Sequence, residues 1–259
     1  MAKIVMRCQK VKSNSVSFSH NHNFRTYENQ SAQNIDFDRT KQNRLILGSA
    51  DTHKKVTENL QKLTSKKAMR KDANVCLEFV FSASPDYFYP NLDKEKFDQL
   101  TMKDNKKELG QIQKTLDTKK LADFEKSVLN FINEKPEFKN NVVSLVLHLD
   151  EKTPHYHLLL TPIIDGRLTA KQFFTPEIAR RWQDEIHEKT KHLGLERGQV
   201  NSPDIHQSTK DYQSNLQLEL PKLKWTHWAR QFFREFKLHP FSSPQLVGAA
   251  PFFFICSQP

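Results

Sequence analysis

Four stretches of apolar residues predict β-strands in this 259-residue chain, at residues 3–12, 75–82, 141–149 and 156–164. In the first stretch Ile4, Met6 and Cys8 recur at every second position, which is the period of a strand with one buried face. The second stretch is rich in β-branched and aromatic residues. A short polar link joins the last two stretches, which predicts a β-hairpin.

Apolar residues spaced by threes and fours in a charged background predict amphipathic helices. Residues 94–133 show this pattern as one long or two shorter helices, and residues 52–73 predict a basic helix. A further helix is predicted at residues 176–192, with Thr175 as its N-cap and Gly194 just past its end. The order of these elements predicts an α+β fold, in which helices pack largely on one side of an antiparallel sheet.

Two parts of the chain lack such a pattern. Residues 13–43 are polar, with many Asn, Ser and Gln, and predict a long loop of the kind that is usually functional. The last 39 residues hold seven of the nineteen Phe and five of the twelve Pro, with one candidate helix at residues 225–236. They are either a packed tail or an abnormal C-terminus produced by truncation or frameshift.

The formal net charge of +10 is concentrated near the N-terminus. Residues 1–74 hold fifteen Lys and Arg against six Asp and Glu. Such a basic surplus indicates a polyanionic partner, nucleic acid ahead of a membrane surface. The apolar content of 37% excludes a disordered chain, and no stretch reaches the ~18 to 20 apolar residues of a membrane-spanning helix.

The cysteines indicate the redox compartment. Cys8, Cys76 and Cys256 lie far apart, so neither a disulfide framework nor a thiolate zinc site is expected. The first residues contain no apolar segment followed by a small-residue cleavage site. We therefore expect a protein of the reducing cytoplasm.

Three of the eleven histidines lie within ten residues, at His148, His155 and His157. His155 and His157 are two apart, so their imidazoles point to one face of a strand, and the hairpin can return His148 beside them. Three neutral imidazoles form an open metal site, and Asp150 or Glu151 can orient a ligand or move a proton. Imidazole binds Mn, Co, Ni and Zn, and substrate phosphates can help recruit Mg, so the spacing leaves the metal open.

The segment H-L-D-E-K-T-P-H-Y-H, residues 148–157, resembles the metal motif of the plasmid mobilization and recombination proteins. These are the Pre/Mob, or MobV-type, relaxases, a branch of the HUH endonucleases. Residues 22–25, His-Asn-Phe-Arg, match the H-N-x-R motif of that family. Further similar segments follow the same order, at residues 6–12, 34–43, 68–76 and 195–198. The similarity covers most of residues 1–214, the predicted relaxase domain, and leaves residues 215–259 as an atypical tail.

The resemblance implies a metal-dependent enzyme that nicks one strand of a plasmid transfer origin and stays attached to the new 5′ end. It also implies an HUH-type central antiparallel β-sheet with flanking helices. By carry-over, His148, His155 and His157 bind the metal, Glu151 lies beside it, and His22 is the nucleophile. Mn²⁺ is the expected metal and Mg²⁺ the alternative. A neutral imidazole is a competent nucleophile near pH 7.

Two alternatives to His22 as the nucleophile stay open. His20 begins a duplicated His-Asn pair, although only His22 is followed by an arginine at the third position. Tyr27 is the residue type that most relaxases use, but we prefer a core or base-stacking role for it. The residues expected to contact DNA are Arg25, Arg70 and Lys71.

Members of this family usually continue well past residue 259, through a helical region linked to self-association. The expected partner is plasmid DNA at the origin of transfer, single-stranded or as a hairpin. A homodimer is expected of full-length relatives rather than of this chain. A second hypothesis is a non-catalytic DNA-binding protein, such as a truncated repressor, which the unusual tail and the N-terminal charge favour. A third hypothesis is a metal hydrolase that acts on small phosphoesters. It is unnecessary, because a DNA substrate already accounts for the basic N-terminal segment.

Overall fold

A five-stranded antiparallel sheet is the central element of the computed structural model, which describes residues 2–26, 34–64, 69–70 and 72–198. Its strands are β1 (Ile4–Lys12), β2 (Arg44–Gly48), β3 (Asn74–Ala83), β4 (Val142–His148) and β5 (His155–Leu160). They lie in the order β1-β3-β5-β4-β2, and each neighbouring pair is antiparallel. The predicted sheet is confirmed, and β4 and β5 form the predicted hairpin.

One strand of the sheet was not predicted. β2 lies at the edge beside β4, and none of its five residues is buried. Its pairing with β4 shifts register between Leu45 and Leu47. A short, irregular edge strand with no buried face leaves little periodicity for sequence analysis to detect.

The described residues form helices of very different lengths. These are α1 (Val16–Phe24), α2 (Thr52–Leu60), α3 (Pro85–Phe88), α4 (Lys94–Gln99), α5 (Met102–Gln113), α6 (Thr118–Asn133), α7 (Pro136–Lys139), α8 (Ala170–Phe173) and α9 (Pro176–Thr190). A small hairpin, β6 (Ile163–Ile164) and β7 (Arg167–Leu168), precedes α8. No helix in the described ranges is long and apolar enough to cross a membrane.

Several helix predictions need correction. Residues 94–133 contain three helices, α4 to α6, rather than one or two. The basic helix predicted at residues 52–73 ends at Leu60, because the chain then bonds to the small hairpin, where Thr64 N donates to Gly166 O at 2.9 Å. The N-cap of α9 is confirmed, since Thr175 accepts a hydrogen bond from Ile178 N.

The larger core lies on one face of the sheet. Alternate residues of β3 and β5, including Phe79 and Tyr156, pack against α6 and α9, where Phe131 and Trp182 are buried. Complete burial of one such side chain contributes about 1.5–3 kcal/mol.

The opposite face of the sheet is covered by α1 and α2 over a smaller apolar cluster that includes Val16, Val56 and Val143. α1 lies inside the segment predicted as a loop, so that prediction is wrong for residues 16–24. Two of the three buried residues of α1 are polar, Ser19 and Asn23, so the helix shows no apolar stripe. The predictions for Tyr27, Lys71, residues 225–236 and the boundary at residue 214 lie outside the described residues.

Candidate functional site

The β4–β5 hairpin places His148 opposite His155, and His157 follows on the same face of the sheet. The centroids of the three rings lie 4.6, 5.0 and 5.2 Å apart. His148 is fully buried, whereas the side chain of His155 is 14% exposed. The structure therefore brings the three predicted ligands together beneath α1, with solvent access at His155.

Each of these imidazoles has one ring nitrogen against an oxygen that can accept its proton. Nε2 of His148 donates to the backbone oxygen of Asn23 (3.0 Å), Nδ1 of His155 to that of Thr153 (2.8 Å), and Nδ1 of His157 to Oε1 of Glu78 (3.2 Å). A neutral imidazole that donates from one nitrogen keeps a lone pair on the other. Nδ1 of His148 and Nε2 of His155 and His157 are thus the atoms that can bind a cation.

Glu151 adds a carboxylate to the histidines. Its Oε1 lies 3.7 Å from Nδ1 of His148, 3.8 Å from Nε2 of His155 and 3.9 Å from Nε2 of His22. Two sets of three donor atoms each lie within 4.8 Å: one from His22, His148 and His157, the other from His148, Glu151 and His155. Burial alone would raise the pKa of Glu151, but the neighbouring histidines hold that pKa well below its usual value, so the carboxylate is ionised.

Three histidines of the site are neutral at pH 7. Burial lowers the pKa of His148 and His157 to about 4. The side chain of His22 is 31% exposed, and partial desolvation together with the neighbouring His157 lowers its pKa to about 4 as well. Neutral imidazole is the form that binds metal ions and acts as a nucleophile.

His22 and His20 lie on different sides of α1. The ring of His22 is 5.4 Å from that of His148 and 4.9 Å from that of His157. His20 instead contacts Thr52 of α2, with 3.0 Å between Nδ1 and Oγ1, and packs on Phe24. Because α1 turns about 100° per residue, residues two positions apart on it face nearly opposite directions. His22 belongs to the cluster and His20 does not.

Arg25, predicted to contact DNA, lies within the site, with a side chain only 3% exposed. Its Nε and Nη2 each donate to a carboxylate oxygen of Asp150 at 2.9 Å, and Nη2 also donates to Oε1 of Glu151 at 2.7 Å. The same guanidinium donates to Nδ1 of His22 and Nδ1 of His148, at 3.2 and 3.1 Å. Arg25 is buried because the carboxylate of Asp150 is completely buried and requires a counter-charge.

Asp150 fastens the loop between β4 and β5 to the segment before β2. Besides Arg25, its Oδ2 accepts from Oγ1 of Thr40 at 3.0 Å and from Nδ2 of Asn43 at 2.8 Å. Asp150 was predicted to orient a ligand; its contact with the histidines runs through Arg25, whose Nη2 reaches both Asp150 and Nδ1 of His148. Arg70, by contrast, is 82% exposed and pairs with Asp72 on the surface.

Sequence reasoning missed Glu78, a carboxylate in the middle of β3 that is only 2% exposed. Its Oε1 accepts from Asn23 and His157, and its Oε2 accepts from Gln9 and Ser19. Burial alone would raise the pKa of Glu78, but these donors, with His157 foremost, lower the pKa to about 2. The sequence did contain a signal that could have identified Glu78: it is the single charged residue inside the apolar run of residues 75–81.

Comparison with known families settles which family this chain is in. Residues 1–111 and 107–214 match the family model described as plasmid recombination enzyme, Mob_Pre. The chain belongs to this family. The prediction that this chain is a Pre/Mob protein is confirmed. The family is one of relaxase-type plasmid recombination and mobilization enzymes.

Individual plasmid recombination enzymes are also similar to this chain. One from Lactiplantibacillus plantarum is 29% identical over 232 residues, which are 86% of this chain and 56% of that protein. One from Streptococcus agalactiae is 26% identical over 221 residues, 82% of this chain and 39% of that protein. The chain thus spans roughly half the length of these relatives.

A solved structure shows the same fold. The Mn-bound crystal structure of the MobM relaxase domain with plasmid pMV158 oriT DNA is 25% identical, with a TM-score of 0.64, over 82% of this chain and 98% of that one. The predicted α+β fold of a relaxase domain is therefore confirmed.

Proposed function

We propose that this chain is a metal-dependent relaxase that nicks one strand of a plasmid transfer origin and keeps the new 5′ end on His22. The observation that carries the proposal is the neutral ring of His22, 5.4 and 4.9 Å from the rings of His148 and His157. A nucleophile and a set of metal ligands can then act on one phosphate. The MobM relaxase domain, solved with oriT DNA and Mn, supports DNA as the substrate and Mn²⁺ as the ion.

The proposed metal ligands are His148, His155 and His157, with Glu151 beside them. Three imidazole nitrogens with a carboxylate oxygen can accommodate Mn²⁺, the ion in the MobM structure, whereas Mg²⁺ prefers oxygen ligands and is the alternative if DNA phosphates supply them. When bound, the ion polarises the scissile phosphate and stabilises its developing charge. Nη2 of Arg25 now lies on Nδ1 of His148 at 3.1 Å, so this hydrogen bond has to break when that nitrogen binds an ion.

His22 performs the covalent step in this proposal. Nδ1 of His22 accepts a hydrogen bond from Arg25, so the ring proton is on Nε2. Nε2 attacks phosphorus as it gives up that proton, the bond from phosphorus to the 3′ oxygen breaks, and the 5′ phosphate stays on the ring. The imidazole loses one ring proton and the departing 3′ oxygen gains one. Glu151, with Oε1 3.9 Å from Nε2 of His22, is placed to accept the proton. The reverse reaction reseals the strand.

We further propose that residues 1–214 are the relaxase domain and that its partner is origin DNA in single-stranded or hairpin form. The basic surplus of residues 1–74 supports this partner. Among the residues predicted to contact the DNA, Arg70 is exposed as such a contact requires.

A nicking assay tests the proposed function. Supercoiled plasmids that carry origins of this family, pMV158 oriT among them, are incubated with the protein and Mn²⁺ or Mg²⁺. We expect nicked circles, and a covalent adduct with a 3′-labelled origin oligonucleotide on a denaturing gel. Absence of nicking on every origin with every metal contradicts the proposal. Origin binding without nicking, unchanged in His148→Ala, identifies the non-catalytic DNA-binding protein instead.

A further inference from the structure

A pocket of about 700 Å³ lies outside the histidine cluster, between α5 and the 3₁₀ segment Phe37–Gln42. Its lining includes Arg39, Gln42, Lys107, Gly110, Gln113 and Lys114. Nε2 of Gln113 donates to the backbone oxygen of Glu151 at 2.8 Å. One lining residue of the pocket is therefore hydrogen-bonded to the loop that carries Glu151, the proposed proton acceptor.

The pocket is strongly basic. Lys106 and Asp36 also line the pocket and pair with each other at 2.8 Å, and Lys106 pairs with Asp38 at 2.6 Å as well, so the charge of Lys106 is neutralised. Lys107 and Lys114 are exposed, and neither has an ion-pair partner within the described ranges. Lys107 lies on α5 and Lys114 is the residue that caps its C-terminus, seven positions later, so both face the same side of the helix. Two cationic side chains are thus available to a ligand in the pocket.

Two lining residues also carry buried polar atoms without a partner among the described residues, Nη1 of Arg39 and Oε1 of Gln113. The other guanidinium nitrogens of Arg39 donate to Oε1 of Gln42, at 3.3 and 3.1 Å. Nη1 is enclosed, so an anionic oxygen in the pocket would reach it only after the side chain of Arg39 turns outward. Guanidinium groups bind phosphate oxygens well, and such a turn would give the buried donor an acceptor.

Gly110 lines the pocket without a side chain. It lies inside α5, where a glycine is less favourable than an alanine. A Cβ built at this position meets no atom within 4 Å. A larger side chain would therefore project into free space at the pocket without disturbing the packing of the helix.

We propose that this pocket binds a backbone phosphate of the DNA strand on which the histidine site acts, through Arg39, Lys107 and Lys114. The inference rests on the proposed function for the identity of the ligand. Phosphate contacts position a strand without reading its sequence. A phosphate held here would set the position of the strand relative to the loop that carries Glu151.

The test is fluorescence anisotropy with a labelled single-stranded pMV158 oriT oligonucleotide, in EDTA and at several salt concentrations. Arg39→Gln should weaken binding about tenfold, and Lys107→Gln with Lys114→Gln should reduce the salt slope by about 0.7 per lost phosphate contact. Gly110→Leu changes no charge and should also weaken binding, because it fills the pocket. Lys119→Gln removes one charge, as Arg39→Gln does, from an 88% exposed lysine outside the pocket, and should change Kd less than about twofold.

Binding by Gly110→Leu and Arg39→Gln that equals wild type, in variants whose thermal melting is intact, overturns the inference. Equal losses in Lys119→Gln and the pocket variants also overturn it, because net charge alone would then explain binding. Nicking is measured separately. If the wild-type protein nicks DNA and the pocket variants bind DNA normally, only the proposed phosphate site is refuted. If binding depends on the pocket but the wild-type protein does not nick, only the proposed function is refuted.

Discussion

Oε1 of Glu78 lies 3.2 Å from Nδ1 of His157, and the same carboxylate accepts hydrogen bonds from Ser19 and Asn23 of α1. One buried side chain thus joins a candidate metal ligand to the helix that carries His22. Ionised Glu78 holds the proton of His157 on Nδ1 and leaves Nε2 free.

Glu78→Gln should weaken Mn²⁺ binding about 10- to 100-fold, because outer carboxylates of this kind orient the ligand and increase its basicity. Isothermal titration with MnCl₂ measures the change. Glu125→Gln is the matched control, since Glu125 lies on α6 and accepts from Arg44 and Tyr156 instead. Equal affinities of Glu78→Gln and wild type would show that Glu78 does not position the ligand.

His22→Ala should abolish the covalent DNA adduct, whereas His20→Ala should retain it. The reason is that only His22 lies in the histidine cluster, while His20 contacts Thr52 on the other side of α1. A denaturing gel with a 3′-labelled origin oligonucleotide detects the adduct. An adduct that persists in His22→Ala and disappears in His20→Ala would reverse the assignment.

Mn²⁺ should stabilise the protein against heat. A ligand at about 100 times its Kd adds about 2.7 kcal/mol to the free energy of unfolding, which corresponds to roughly 5–10 °C in a chain of this length. Differential scanning fluorimetry should show the shift, and EDTA should reverse it. His148→Ala should remove the shift, while His192→Ala, which alters an exposed histidine outside the cluster, should keep it. A shift that survives in His148→Ala places the ion elsewhere.

Arg25→Gln should destabilise the fold by about 3–5 kcal/mol, because it leaves the buried carboxylate of Asp150 without its counter-charge. Urea unfolding followed by circular dichroism measures the loss. The matched control is Arg70→Gln, which breaks a surface pair with Asp72 and should leave the urea midpoint unchanged. Equal midpoints for Arg25→Gln and wild type would contradict a structural role for this ion pair.

The helix α1 illustrates why part of the site escaped prediction. Its inward face consists of Val16, Ser19 and Asn23, and the last two dock on Glu78 rather than on an apolar surface. A helix that binds its sheet through hydrogen bonds has no apolar period to detect. The motif that contains His22 was identified by resemblance, but the helix beneath it was not.

The sequence by itself determined the strands that frame the site, the hairpin, and the convergence of His148, His155 and His157. These features depend on a period of two and on a turn of a few residues. Such local geometry is determined by residues that are close together in the sequence. Only the tertiary structure separated His22 from His20, buried Arg25 against Asp150 and placed Glu78 behind His157. The contacts responsible join residues far apart in the chain, 55 positions between Asn23 and Glu78 and 125 between Arg25 and Asp150. Buried charges select their partners by proximity after folding, so no local pattern records them.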